Sequence, residues 1–235
     1  AEMYGEGGAE SMLGEALRQA FAAGEAQRED LTIVSKVYPH HASTRGVIEA
    51  CERSLRRLKL DRIDLYLLHW RGEYALAETL AGFAQLQRRG LILHWGVSNF
   101  GVADLEELFA LPGGSACATN QVYYSLGARG VEFDLLPWQA RHRLPLMAYS
   151  PIDQGALGGH PVLQRIGQRL GVSAAQVALA WVLRQPEVIA IPKAVRTAHL
   201  QDNLAAAELQ LSASNLQALD AAFAPPGAKQ PLAMI

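Results

Sequence analysis

Three residues of this chain have the types and spacing needed to reduce a carbonyl group. Tyr4 follows the opening residues AEM, Lys36 closes the apolar run TIVSK, and His69 closes IDLYLLH. Each lies about one βα unit after the one before, so the three reach the same end of neighbouring strands. A phenol ionises near pH 10 and becomes a useful acid only where a nearby cation stabilises its phenolate. Lys36 can supply that cation, and His69 can orient a carbonyl oxygen by hydrogen bonding. The set suits hydride delivery to carbon with a proton passing from Tyr4 to oxygen. Singly, a Tyr after a turn is ordinarily packing, a strand-end Lys is solvated, and a His inside LYLLHW is a satisfied core residue. Equivalent positions on successive units make them a set.

The elements that must carry them are legible from the hydrophobic pattern. Four more apolar runs end on polar residues: ILHWGVSN at Ser98 and Asn99, CATNQ at Gln121, PLMAYS at Tyr149 and Ser150, and VIAIPK at Lys193. Helical periodicity fills the intervals, over residues 9–21, from Ser43 onward, 76–89, 102–110 and 131–141. A Gly-rich loop at 154–159 precedes two helical stretches, the second opened by Ser173 and Gln176 at capping-box spacing. Further helices follow Arg196 and Ser212. Strands apolar throughout, with polarity only at their exits, belong to a parallel sheet buried on both faces. Gathering every exit at one rim calls for a (β/α)8 TIM barrel, an α/β fold, read as one domain over 1–235. Only about six of the eight βα units are found, and AEMYGEGG leads straight into a helix. A chain lacking the N-terminal strands of the barrel is therefore expected.

Composition narrows the function. The 235 residues are 50% hydrophobic and 19% charged, with a net charge of −2. A pI near 6.4 gives no general attraction to nucleic acid or an anionic membrane. Arg53, Arg56, Arg57, Lys59 and Arg62 fall at the C-terminal end of a helix, where cations meet the helix dipole and solvent. Cys51 and Cys117 sit in apolar settings and read as buried thiols. His40 and His41 lack spaced partners for a metal and instead line the substrate mouth with Trp70. Gly5, Gly7 and Gly8 resemble a dinucleotide fingerprint only superficially, because Glu10 occupies its third glycine position; they suit a tight turn into the helix. No run reaches membrane-spanning length. The expectation is a cytoplasmic monomer acting on a small carbonyl substrate, without metal, nucleic-acid or membrane partners.

The ordered series AEMYGEGG, TIVSK, DLYLLHW, GVSNF, NQVYY, AYSP and IPK, followed by a helix entering Asn203, resembles the aldo-keto reductase family from end to end. Bacterial members of the methylglyoxal-reductase type are the nearest likeness. The resemblance implies NADPH-dependent reduction of aldehydes and ketones on a barrel, with the cofactor bound extended. It makes Tyr4 the proton donor, Lys36 the cation that eases its ionisation, and His69 the substrate orienter. Ser98, Asn99 and Gln121 would hold the nicotinamide carboxamide and Tyr149 would stack on its ring. Ser150, Ile152 and Gln154 would touch the pyrophosphate, and Lys193, Arg196, His199 and Asn203 the adenosine end. A cationic pair at a helix start suits a 2′-phosphate, favouring NADPH over NADH. The family's Asp a few residues before the Tyr falls upstream of Ala1. Ala194 and His199 stand where many members carry Ser and Arg, and His199 would make the phosphate grip pH-sensitive. Within the family, 2-oxoaldehydes and keto-sugar acids are both candidate substrates. A potassium-channel β-like regulatory subunit is the non-enzymatic alternative.

Overall fold

Three consecutive left-handed residues, Gly5 (φ 58), Glu6 (φ 53) and Gly7 (φ 89), turn the chain from Tyr4 into its first helix, α1 (Gly8–Ala23). A side chain at Gly7 would also meet Arg57 at 2.6 Å, so conformation and packing both select glycine there. The computed structural model describes residues 1–235, which form two compact units, Ala1–Thr119 and Asn120–Ile235.

In the first unit, α1 is followed by β1 (Val34–Val37), α2 (Thr44–Leu58), β2 (Ile63–Leu68), α3 (Leu76–Arg88), β3 (Ile92–Ser98) and α4 (Val102–Ala110). The three strands are parallel, with Lys36 opposite Leu67 and Leu67 opposite Gly96. All six residues of β2 are buried, as a strand covered on both faces requires. Ser43 starts α2 by accepting a hydrogen bond from the Gly46 amide, 3.1 Å away. The buried stripe Val47, Cys51, Leu55 and Leu58 then faces the sheet. Phe83 of α3 stacks on Trp95 at 5.5 Å and meets Tyr66 edge-on, so one aromatic cluster joins helix and strands. Burying Phe83 contributes about 2–3 kcal/mol.

The second unit runs β4 (Asn120–Tyr123), α5 (Leu135–Arg141), β5 (Leu146–Tyr149), a 3-10 segment (Asp153–Gly159), α6 (Pro161–Leu170), α7 (Ala174–Leu183), β6 (Val188–Ile191), α8 (Thr197–Ala205) and α9 (Ala213–Ala222). Its strands are also parallel, with Gln121 opposite Met147 and Met147 opposite Ile189. The Ser173–Gln176 capping box forms at the start of α7. No single helix is long and apolar enough to cross a membrane.

Three segments differ from the sequence expectation. Residues 131–141 make a 3-10 turn, Gly130–Glu132, and then α5, because Pro137 has no amide to donate and is tolerated only in a helix's first turn. The CATNQ run does not end at Gln121. Ladder hydrogen bonding continues, so Gln121 lies inside β4 and Tyr123 occupies the exit. The Gly-rich stretch is 3-10 structure rather than open loop, kinked by left-handed Gln154 (φ 54) and Gly155 (φ 94).

Candidate active site

In the first unit, the exits of β1 and β2 and the turn before α1 bring together a phenol, an ammonium and an imidazole. The amide of His69 donates to Val37 O at 3.0 Å, locking the two strand exits in register. Lys36 is only 7% exposed, and its Nζ donates to Tyr4 Oη at 3.0 Å. The same ammonium lies 4.9 Å from the Tyr4 ring centroid. Tyr4 is 46% exposed, and its hydroxyl is held by the Lys36 ammonium. The His69 and Tyr4 rings stand perpendicular, with centroids 5.7 Å apart.

His69 is buried, and its Nδ1 is shut off from solvent without a partner. Burial, reinforced by the charge of Lys36, pushes its pKa down to about 3. The imidazole is therefore neutral at physiological pH. It can donate one hydrogen bond to a carbonyl oxygen but is not a source of protons.

Aromatic side chains surround this centre. Trp70 lies 4.8 Å and Tyr38 6.4 Å from the His69 ring, and the two meet edge-on at 5.7 Å. His40 packs on Tyr38 at 4.5 Å. Buried Glu2 anchors the loop that carries them, accepting from the Tyr38 amide at 2.9 Å and contacting His41 Nδ1 at 3.0 Å. Burial alone would raise the Glu2 pKa, but these two hydrogen bonds outweigh it and hold the carboxyl below the usual range. At the exit of β3, Asn99 adopts φ 58, which turns its side chain back so that Nδ2 donates to His69 O at 3.1 Å and to Ser98 Oγ at 3.3 Å. Asn99 is thereby fixed beside His69.

The second unit gathers a different set at its strand exits. Gln121 Nε2 contacts Met147 Sδ at 2.7 Å from within β4. Tyr149, at the end of β5, stacks on Tyr123 with centroids 5.6 Å apart and planes within 14°. Ser150, with φ 47, and Ile152 and Gln154 follow directly in a tightly turned segment. Lys193, Arg196 and His199 are exposed around the exit of β6 and the first turn of α8, and none of the three enters an ion pair. Asn203 lies one turn further along the same helix.

A sequence model of the aldo/keto reductase family matches residues 1–224. The chain belongs to that family. The reductase is 49% identical to methylglyoxal reductase YeaE of Escherichia coli, across 100% of this chain and 82% of the relative. It is 35% identical to glyoxal reductase of Bacillus subtilis, across 83% of the chain and 69% of the relative. Its fold superposes with a TM-score of 0.95 on an aldo-keto reductase from Klebsiella pneumoniae solved with NADPH, at 44% identity, covering 100% of this chain and 82% of that one. The (β/α) barrel fold of aldo-keto reductases, here with six βα units, is thus the fold of this chain.

Three features of the reductase carry no local signal in its sequence. Glu2 reads as an ordinary solvated acid, yet it is buried and pins the Tyr38 loop. Tyr123 reads as the tail of a strand, and Asp153 as a loop residue. Their phenol–carboxylate hydrogen bond spans 30 positions of sequence, so no periodicity reports it.

Proposed function

We propose that this chain reduces small aldehydes, methylglyoxal-type 2-oxoaldehydes among them, to alcohols with NADPH. The observation that carries the reading is the 3.0 Å Lys36–Tyr4 hydrogen bond beside a buried, neutral His69. NADPH, when bound, supplies the hydride that reaches the carbonyl carbon. His69 donates a hydrogen bond to the carbonyl oxygen and orients it. Tyr4 releases its hydroxyl proton to that oxygen as charge builds there, and the Lys36 ammonium stabilises the phenolate left behind. Tyr38 and Trp70 wall the approach with apolar faces suited to a small organic carbonyl and poorly suited to bulk water.

The residues present fit the cofactor. Tyr149 offers a flat aromatic face at a strand exit. Ser98 and Asn99 in the first unit, and Gln121 in the second, carry hydroxyl and amide groups of the type that suits a carboxamide. Ser150, Ile152 and Gln154 border a turn with backbone groups available to a pyrophosphate. Lys193 and Arg196 place unpaired cations at the start of α8, where the helix dipole adds to them. His199 and Asn203 extend that surface for the adenosine end, and the cation pair favours NADPH over NADH.

The test is Tyr4→Phe, followed by NADPH oxidation at 340 nm with methylglyoxal. Loss of the proton donor should lower kcat by roughly 10²–10⁴-fold. NADPH affinity, from fluorescence titration, should stay within about twofold, because the change removes a group needed only in the transition state. A Tyr4→Phe protein that keeps its kcat would overturn the assignment.

A further inference from the structure

Tyr123, Ser125 and Asp153 form a cluster that the mechanism above does not use. Asp153 Oδ1 accepts a hydrogen bond from Tyr123 Oη and another from Ser125 Oγ at 2.7 Å. Ser125 Oγ in turn accepts from the amides of Gly127 and Ala128, at 3.2 and 3.1 Å. The carboxylate therefore ties the segment leaving β5 to the segment leaving β4. The space it occupies exists because residue 127 is glycine: a Cβ there would sit 2.0 Å from Asp153 Oδ2.

The tethered segment is strained. Ser150 (φ 47), Asp153 (φ 50) and Gln154 (φ 54) are all left-handed non-glycine residues, and a conformation of that kind persists only where surrounding contacts determine it. Tyr123 and Ser125 supply those contacts. Burial, and next the hydrogen bond to Asp153, push the Tyr123 pKa up to about 12, so its phenol stays a donor across the working pH range. The Tyr123 ring lies against Tyr149, the residue just before the strained segment, at 5.6 Å and 14°. One side chain thus braces Tyr149 through its ring and the following turn through its hydroxyl.

We propose that Tyr123, locked by Asp153, is a positioning residue for hydride transfer that acts through Tyr149 and the Ser150–Gly155 turn. The proposal rests on the reading of Tyr149 as the platform for the nicotinamide. In this arrangement Tyr123 touches neither substrate nor cofactor. It fixes the plane of Tyr149 and holds the turn in the one conformation that presents Ser150, Ile152 and Gln154 to the pyrophosphate. Preorganisation of that kind lowers the ordering cost of binding and keeps the reacting atoms close.

Tyr123→Phe, which keeps the stacked ring and removes the hydroxyl, and Asp153→Ala, which removes the acceptor, both break the tether. Each should weaken NADPH binding by roughly tenfold, chiefly through faster dissociation in stopped-flow fluorescence. The double variant should be no worse than Asp153→Ala alone, because that change already removes the Tyr123 bond together with the Ser125 bond. Asp153→Asn, which can still accept from Tyr123, should recover most of the affinity. With methylglyoxal, KM should hold, kcat should fall and the deuterium isotope effect from 4-deuterated NADPH should rise, a change that mere loss of folded protein does not produce. Native NADPH affinity, dissociation rate and isotope effect in Tyr123→Phe and Asp153→Ala would overturn the proposal. Tyr149→Ala tests the underlying reading separately: weakened NADPH binding is expected, and unchanged binding would remove the platform and the proposal together. If Gly127→Ala, which displaces the Asp153 carboxylate without touching either tyrosine, left the dissociation rate unchanged, the tether would have no role.

Discussion

Acidifying the protein from pH 8 to pH 5.5 should destabilise it, and the part that His69 contributes can be worked out. In the native chain the imidazole is neutral above about pH 3, because burial and the Lys36 charge oppose protonation. In the unfolded chain it ionises near 6.5. Between those values the unfolded state binds more protons, so stability rises with pH; the contribution is complete above 6.5 and is lost progressively below it. One pH unit below 6.5 the loss is about 1.4 kcal/mol, and at pH 4.5 it is about 2.7 kcal/mol. Urea denaturation of the native sequence and of His69→Gln at pH 8, 6.5, 5.5 and 4.5 isolates the effect, because other titrating groups are common to both. The native-minus-variant difference should shrink by those amounts as the pH falls. Parallel pH profiles for the two proteins, or an imidazole NMR titration with its midpoint near 6.5, would refute the reasoning. The same neutrality has a kinetic corollary: a fall in kcat/KM between pH 8 and 5 would not come from His69.

Two further outcomes test the packing. A Cβ at Gly14 would lie 2.3 Å from the Arg57 carbonyl oxygen and 2.7 Å from the Leu58 backbone, neither of which can swing aside; Gly14→Ala should cost about 3 kcal/mol in urea denaturation, whereas Gly8→Ala on the same helix meets nothing and should be neutral or slightly stabilising. Cys51 and Cys117 are buried, and desolvation pushes both thiols up to about 12, so Ellman's reagent at pH 8 should react no faster than the protein unfolds; stoichiometric labelling of the native protein within minutes would contradict the assigned burial.

Much of the fold was legible because its physics is local or periodic. A strand buried on both faces has to be apolar along its length and can turn polar only at its exit, so six runs ending at Lys36, His69, Asn99, Gln121, Tyr149 and Lys193 announced six βα units. The caps at Ser43 and Ser173 are equally local, each being a hydroxyl three residues from the amide it serves. The interval from Tyr4 to Lys36 to His69 placed three reactive groups at one rim before any distance was known. CATNQ misled because polar Thr119, Asn120 and Gln121 interrupt the apolar run, while Val122 and Tyr123 carry the ladder on past them. A strand ends where its hydrogen-bonding partner ends, which is a property of two segments together.

What the chain determined by itself is thus the order of its elements and the side chains that stand at their ends. Tertiary structure decided the protonation state of His69, set by how thoroughly its neighbours exclude water rather than by its residue type. It also decided that Glu2 is an anchor, and that Asp153 meets Tyr123 and Ser125 across 30 and 28 positions of sequence. Hydrogen bonds and desolvation act over a few ångströms of space, and only the folded chain determines which distant residues come that close.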